Sequence, residues 1–382
     1  MARITDQETK LVEFRHWLHR NPELSGREYS TSASILDYIS EYEPDNLVTD
    51  LGGKGIAAEF EGSQPGPRIL LRCDMDALPI NEKMDIPYRS AIHGVSHKCG
   101  HDGHMTILLG IAARLYQHRP TRGSVVLLFQ PAEETGEGAR RVIIDSKFRE
   151  IEPDFVIALH NLPGFPLGSI ILKDGAFSSA SRGIKVELSG TSSHASEPQK
   201  GTSPALAVAQ IIKAFTRLSQ LSISKGSTPM VTVTHARTGS QTFGTSPGEG
   251  CVMAALRAST TEEMDIISGS IEKMAEVIAQ TNKLECRISR TDEFPVTENS
   301  GKAVAAIRSA AGNLGLLIVK PDAPFPWSED FGHFTKKYPG ALFGIGTGTD
   351  APALHSPEYD FPDELIASGV DIFIEIIDEL LN

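Results

Sequence analysis

The sequence predicts an α/β protein: a mostly parallel-sheet domain interrupted by a smaller, ferredoxin-like βαββαβ domain. Three observations lead there. Residues 68–73, 124–129 and 154–159 are short, nearly continuous apolar runs set among helical patterns, as strands buried on both faces of a parallel sheet require. From about Arg182 the pattern switches to alternation, which leaves one sheet face polar. Near 341–346 a continuous apolar run returns. The 382 residues are too many for one ordinary domain, and a 40% hydrophobic content is enough for a substantial core.

The elements follow in order. Polar residues from Met1 to Glu13 lead into an amphipathic helix. The apolar runs supply the strands, and 102–118 reads as a helix with Leu108, Ile111 and Leu115 on one side. In the insertion, 183–190 alternates as a half-exposed strand. A helix follows, with Ser203 as N-cap, Pro204 at its first position, and Val208, Ile211, Phe215 and Leu218 on one face. Strands come next near 229–237 and 249–258. Thr260 and Glu263 then form a capping-box pattern ahead of Met264, Ile267, Ile271, Met274 and Ile278. A strand at about 284–290 completes βαββαβ. After the 341–346 strand, a last helix is expected from Pro362, burying Ile366, Val370, Phe373, Ile377 and Leu380. The expected domains are 1–182 and 295–382 as two parts of one catalytic domain, with 183–294 inserted.

The bulk charge narrows the function. Net charge is −13 and no Lys/Arg run forms a basic stripe, which argues against nucleic acid as a partner. Any recognition of a substrate carboxylate must then be local. No stretch of about 18 apolar residues or signal-like core occurs, so no membrane association is expected. Cys73, Cys99, Cys251 and Cys286 are few and scattered, which suits a reducing cytoplasm rather than a disulfide framework.

The chemical residues gather at strand ends. Asp74 and Asp76 follow one strand, Glu133 and Glu134 follow another after Pro131, His160 ends a third, and His355 lies beyond a fourth. Ligands bind at the carboxyl ends of strands in open α/β sheets, so four strands deliver acids and histidines to one edge. The densest cluster is HKCGHDGH, His97 to His104. A thiolate and an imidazole placed as Cys99 and His101 are can bind zinc or manganese. A thiol–imidazole nucleophile is the other reading of that pair, but it leaves the neighbouring acids without a role. Of Glu133 and Glu134, one can bind metal while its neighbour takes a proton from water. Asp74 and Asp76, two apart on an extended chain, point the same way, as metal ligand or as acceptor for a ligating histidine. His194 lies in a Gly/Ser-rich loop of the insertion, where a plain surface histidine is an equal reading.

These residues fall in RCDMDALP, CGHDGHMT, QPAEETGEGA, ALHNLP, GTSSHASEP, WSEDF and LHSPEYDFPDE. Together the motifs resemble the M20 metallopeptidases, closest to the amidohydrolase branch of hippurate hydrolase, bacterial aminoacylases and plant auxin-conjugate hydrolases. The similarity runs from about residue 15 to the C-terminus. It implies two divalent ions (Mn, Zn or Co) on Cys99, His101, Glu134, His160 and His355. It implies a catalytic set of Glu133 as general base, Asp76 orienting a ligand, and His194 stabilising an oxyanion in the partner subunit of a homodimer formed through the inserted lid/dimerisation domain. The implied activity is hydrolysis of N-acyl amino acids or short peptides. A dipeptidase, an aminopeptidase or a carboxypeptidase fits the same centre. A catalytically silent binding protein would not need an intact Glu133 and all five ligand positions. Gly244-Thr245-Ser246-Pro247 stands where the branch has an Asn-Val-Ile-Pro-like stretch that helps hold substrate.

Overall fold

The apolar runs form the middle of one large sheet in the computed structural model, which describes residues 6–218 and 230–381. Strands Arg122–Gln130, Gln64–Asp74, Phe155–Leu162 and Gly340–Gly346 lie side by side and parallel. Every residue of Phe155–Leu162 and of Gly340–Gly346 is buried, which explains why those segments carry no polar alternation. Asn46–Leu51 and Gly55–Glu61 extend one side antiparallel, and the short Ile170–Ile171 and Ile318–Val319 complete the eight strands on the other.

The helices Asp6–Arg20, His101–Gln117 and Leu365–Leu381 pack together beside this sheet. Helix His101–Gln117 is buried almost all round, so its residues read as apolar on more than one stripe. The core runs through Leu108, Ile111, Val125, Leu127, Ile157, Phe343 and Phe373. Each such side chain, fully buried, contributes about 1.5–3 kcal/mol of apolar transfer.

The chain divides into two compact units: Met1–Phe177 with Thr297–Ala323 and Asp330–Asn382, and Ser178–Val296 with Pro324–Glu329. The expected insertion, 183–294, lies inside the second unit. The segment Pro324–Glu329 joins it because the Phe325 carbonyl accepts from both the N–H and the Oγ of Ser179, at 3.0 and 2.8 Å. The second unit's sheet is antiparallel, in the order Met230–Thr238, Glu249–Ala258, Ala180–Ser189, Glu285–Phe294. With helices Ala205–Leu218 and Thr261–Thr281 this is βαββαβ in ferredoxin-like order. Residue 229, expected at a strand start, lies outside the described residues.

Four local expectations shift, the first being the helix expected from Pro204 after a Ser203 cap, which begins at Ala205. The strand expected to end at His160 continues to Leu162. The last helix begins at Leu365 rather than Pro362. There the Pro362 and Asp363 carbonyls accept from Leu365 and Ile366, while the Asp363 carboxylate is drawn to Arg15 and His16. The capping box is offset: Thr260 accepts from the Glu263 N–H, but Glu263 reaches back to Ser259 rather than to Thr260.

Candidate metal centre

Parallel strands bring their carboxyl ends to one edge, and the acids and histidines meet there. Cys99 and Gly100 lead into the helix that starts at His101. Gly100 has φ +89°, and a Cβ on it would lie 2.5 Å from the Asn161 amide, so a glycine is needed for this close turn. His355 has φ +65°, and its N–H is held by the Lys98 carbonyl at 2.8 Å.

The donor atoms form overlapping groups. Within each group the atoms lie within 4.8 Å of one another: Cys99, His101 and His160; Cys99, Glu134 and His355; His101, Glu133 and Glu134. Cys99 Sγ is 3.6 Å from His160 Nε2, and Glu134 Oε1 is 3.7 Å from His355 Nε2 and 3.9 Å from His101 Nε2. His101 Nε2 and Glu134 Oε1 are buried and have no hydrogen-bond partner among the described residues. Leaving such atoms unsatisfied is costly, and a cation would satisfy both.

The imidazoles are turned to present Nε2. His101 Nδ1 donates to the Asp76 carbonyl at 2.8 Å, and His160 Nδ1 donates to the Asn161 carbonyl at 2.9 Å. Burial, helped by His104, pushes His160 down to about 3 and keeps it neutral, as a ligand must be. Burial pushes Glu134 up to about 7, with Asp76 and Asp74 adding to the rise. Burial would lower His101, yet Asp74, Asp76 and Glu134 hold it up at about 10. The pocket is crowded with negative charge and draws positive charge to it.

Asp76 does more than face a histidine. Its Oδ1 accepts from the Glu133 N–H at 3.1 Å, and its Oδ2 accepts from the Glu134 N–H at 3.0 Å and from Ser25 Oγ at 2.6 Å. Its carboxylate lies 3.6 Å from His101 Nδ1, so the hydrogen bond to that ring comes from its backbone oxygen. Asp74 accepts from His104 Nδ1 at 2.6 Å and from Arg72 at 2.8 Å. Although burial opposes it, His101, His104 and Arg72 hold Asp74 well below the usual carboxylate range.

Sequence reasoning passed over Arg72, Asn161, Asp330 and Glu28. Arg72 was visible as a charge inside an apolar strand. It is buried between Asp74 and Asp330, each at 2.8 Å. Asn161 bonds His104 on one side and the Tyr359 hydroxyl on the other.

His194 is in the second unit, exposed, on a two-residue strand paired with Thr245–Ser246. The Gly244 carbonyl accepts from the Ala195 N–H at 3.0 Å, so the divergent 244–247 stretch is the neighbour of His194. His194 Nδ1 lies 2.7 Å from Ser196 Oγ and 3.2 Å from the Ser196 backbone nitrogen, so Ser196 holds that side of the ring.

The sequence pattern of Peptidase family M20/M25/M40 matches residues 70–379. The chain belongs to this family. Among its relatives are an N-acetyl-L-cysteine deacetylase of Bacillus subtilis, 32% identical over 99% of this chain and 90% of that protein, and the hippurate hydrolase of Campylobacter jejuni, 30% identical over 98% and 97%. A solved Bacillus subtilis structure, described as a dinuclear metal binding peptidase from the M20 family, is 27% identical. It superposes with a TM-score of 0.82 over 98% of both chains. Among the described residues, no helix is long and apolar enough to cross a membrane.

Proposed function

We propose that this M20 protein is a metal-dependent amidohydrolase that cleaves the amide bond of small N-acyl amino acids. The observation that carries the reading is the set of overlapping donor groups around buried, unpartnered His101 Nε2 and Glu134 Oε1, with Glu133 among them. Cys99, His101, Glu134, His160 and His355 would hold two divalent ions; thiolate, imidazole and carboxylate suit zinc, manganese or cobalt. When bound, such ions lower the pKa of water and polarise a carbonyl.

The chain's own groups do the rest. Glu133, next to Glu134 on a clamped turn, takes the proton from water and returns it to the departing amine. Asp76 fixes both glutamates through their backbone amides and fixes His101 through its carbonyl. His194 is a donor for the developing oxyanion, supplied across a homodimer made through the inserted domain; its exposure on the second unit supports this role. Co-expressed His194→Ala and Glu133→Gln chains then recover activity that neither parent has. Mixed dimers as inactive as both parents would remove the shared site.

The substrate is tested with a panel of N-acyl amino acids, dipeptides with free amines, and C-terminally blocked amides, after reconstitution with Mn, Zn or Co. Turnover of N-acyl amino acids is expected. Turnover confined to substrates with a free amine would make the protein a dipeptidase or aminopeptidase instead.

A further inference from the structure

The turn that carries Glu133 is strained and is held from outside. Ala132 has φ +55°, a left-handed conformation in which its Cβ crowds the following carbonyl oxygen. Such a conformation persists only when its surroundings impose it. Three consecutive N–H groups of the turn each donate to a buried carboxylate. Those of Glu133 and Glu134 go to Asp76, and that of Ala132 goes to Glu28 Oε1 at 2.8 Å.

Glu28 is fully buried, and its placement is informative. It sits at the N-cap of helix Tyr29–Ser40, where a short polar side chain ordinarily caps the helix's own N–H groups. Its side chain makes no such bond. The helix is capped instead by Glu23, whose two oxygens accept from Ser30 and Thr31 at 3.1 and 2.8 Å. Glu28 is thereby released from local duty. Its Oε1 also accepts from the Gly26 N–H at 2.9 Å, which ties the loop before the helix to the same oxygen as the turn. The neighbouring Ser25 hydroxyl bonds Asp76, so the loop braces both carboxylates of the clamp.

We infer that Glu28 is a positioning residue for the Glu133 carboxylate: by holding the Ala132 N–H it imposes the left-handed turn that aims the base. The bonds of Glu28 go to the Gly26 and Ala132 N–H groups and to none of the donor side chains, and it lies outside the 70–379 segment that matches the family. What matters is the reach of its acceptor oxygen. A glutamine keeps that oxygen in place, whereas an aspartate keeps the charge but is one methylene too short. A role confined to burying a negative charge would order the two variants the other way.

This inference rests on the amidohydrolase reading, and the experiment separates the two. Wild type, Glu28→Gln and Glu28→Asp are compared by three measurements: steady-state kinetics on the best substrate of the panel, bound metal by elemental analysis, and hydrogen exchange of the peptide spanning 130–136. The expected result for Glu28→Asp is a kcat at least tenfold lower with KM and metal content unchanged, and amide exchange at 132–134 at least tenfold faster. Glu28→Gln should stay within about threefold of wild type in all three. A Glu28→Gln as impaired as Glu28→Asp, a loss of kcat explained by lost metal, or unchanged exchange in Glu28→Asp would overturn the inference. If wild type turns over nothing in the panel, the amidohydrolase reading fails. The exchange measurement still decides whether Glu28 holds the turn.

Discussion

Glu133 and Glu134 are adjacent carboxylates to which the proposed mechanism gives different tasks. Glu134 Oε1 is the buried, unpartnered atom facing His101 and His355, so it belongs to the donor set. Glu133 lies beside it in the group with His101. Glu133→Gln keeps the side chain's shape and all five proposed ligands, Cys99, His101, Glu134, His160 and His355, and removes the proposed proton acceptor. It should retain bound metal and lose kcat by roughly 10²–10⁴-fold. Cys99→Ala removes an atom shared by two of the groups and should lose metal. Elemental analysis beside kcat checks both, and near-normal kcat in Glu133→Gln would reverse the assignment. The acids that meet the donors were legible because each follows a buried strand. Glu28 was not, because its partner is a backbone N–H more than a hundred residues away, and no side-chain pattern encodes that. Asp74 was read ambiguously as ligand or support. Its oxygens accept from Arg72 and His104, and Oδ2 also lies 3.6 Å from His101 Nε2, so Asp74, His101 and His104 form a further donor group that only the fold brings together.

At the level of elements, the helix that starts at His101 sets the centre's floor, and its seat is tight. A Cβ on Gly103 would lie 2.4 Å from the Phe361 ring. Gly103→Ala therefore overpacks the first turn and should cost about 1–3 kcal/mol in urea denaturation, despite alanine's better helix propensity. A neutral or stabilising Gly103→Ala would mean the helix can move away from Phe361. Strands were the most legible elements, since burial on both faces leaves an apolar run with nothing to confuse it. The last helix starts at Leu365 rather than Pro362 because its first turn is the tighter kind, closed by i→i−3 bonds from Leu365 to Pro362 and from Ile366 to Asp363, which an apolar periodicity does not distinguish.

Over the whole first unit, a buried charge network ties helix Asp6–Arg20 to the centre's far side. His19 donates to Asp102 at 2.8 Å and to Glu82 at 3.0 Å, with Asp360 at 3.6 Å, Tyr88 edge-on, and Arg15 and Lys98 sharing its acids. Burial would lower its pKa, but the bonds to Asp102 and Glu82 outweigh burial and hold it at about 9. Because the folded value lies above the unfolded one, this stabilisation is complete below about pH 6.5 and fades as pH rises through 9. The stability difference between wild type and His19→Gln should therefore shrink between pH 7 and 10, as read from denaturant midpoints. A difference independent of pH would contradict a charged His19.

In the proposed mechanism the donor groups at the strand ends hold two divalent ions on which hydrolysis depends. Titrating metal into chelated protein, with bound metal counted by elemental analysis and N-acyl amino acid hydrolysis followed in the same samples, tests this most directly. Activity should be abolished by the chelator and return in step with occupancy, saturating at two ions per chain. Full turnover in protein shown to be metal-free would contradict it.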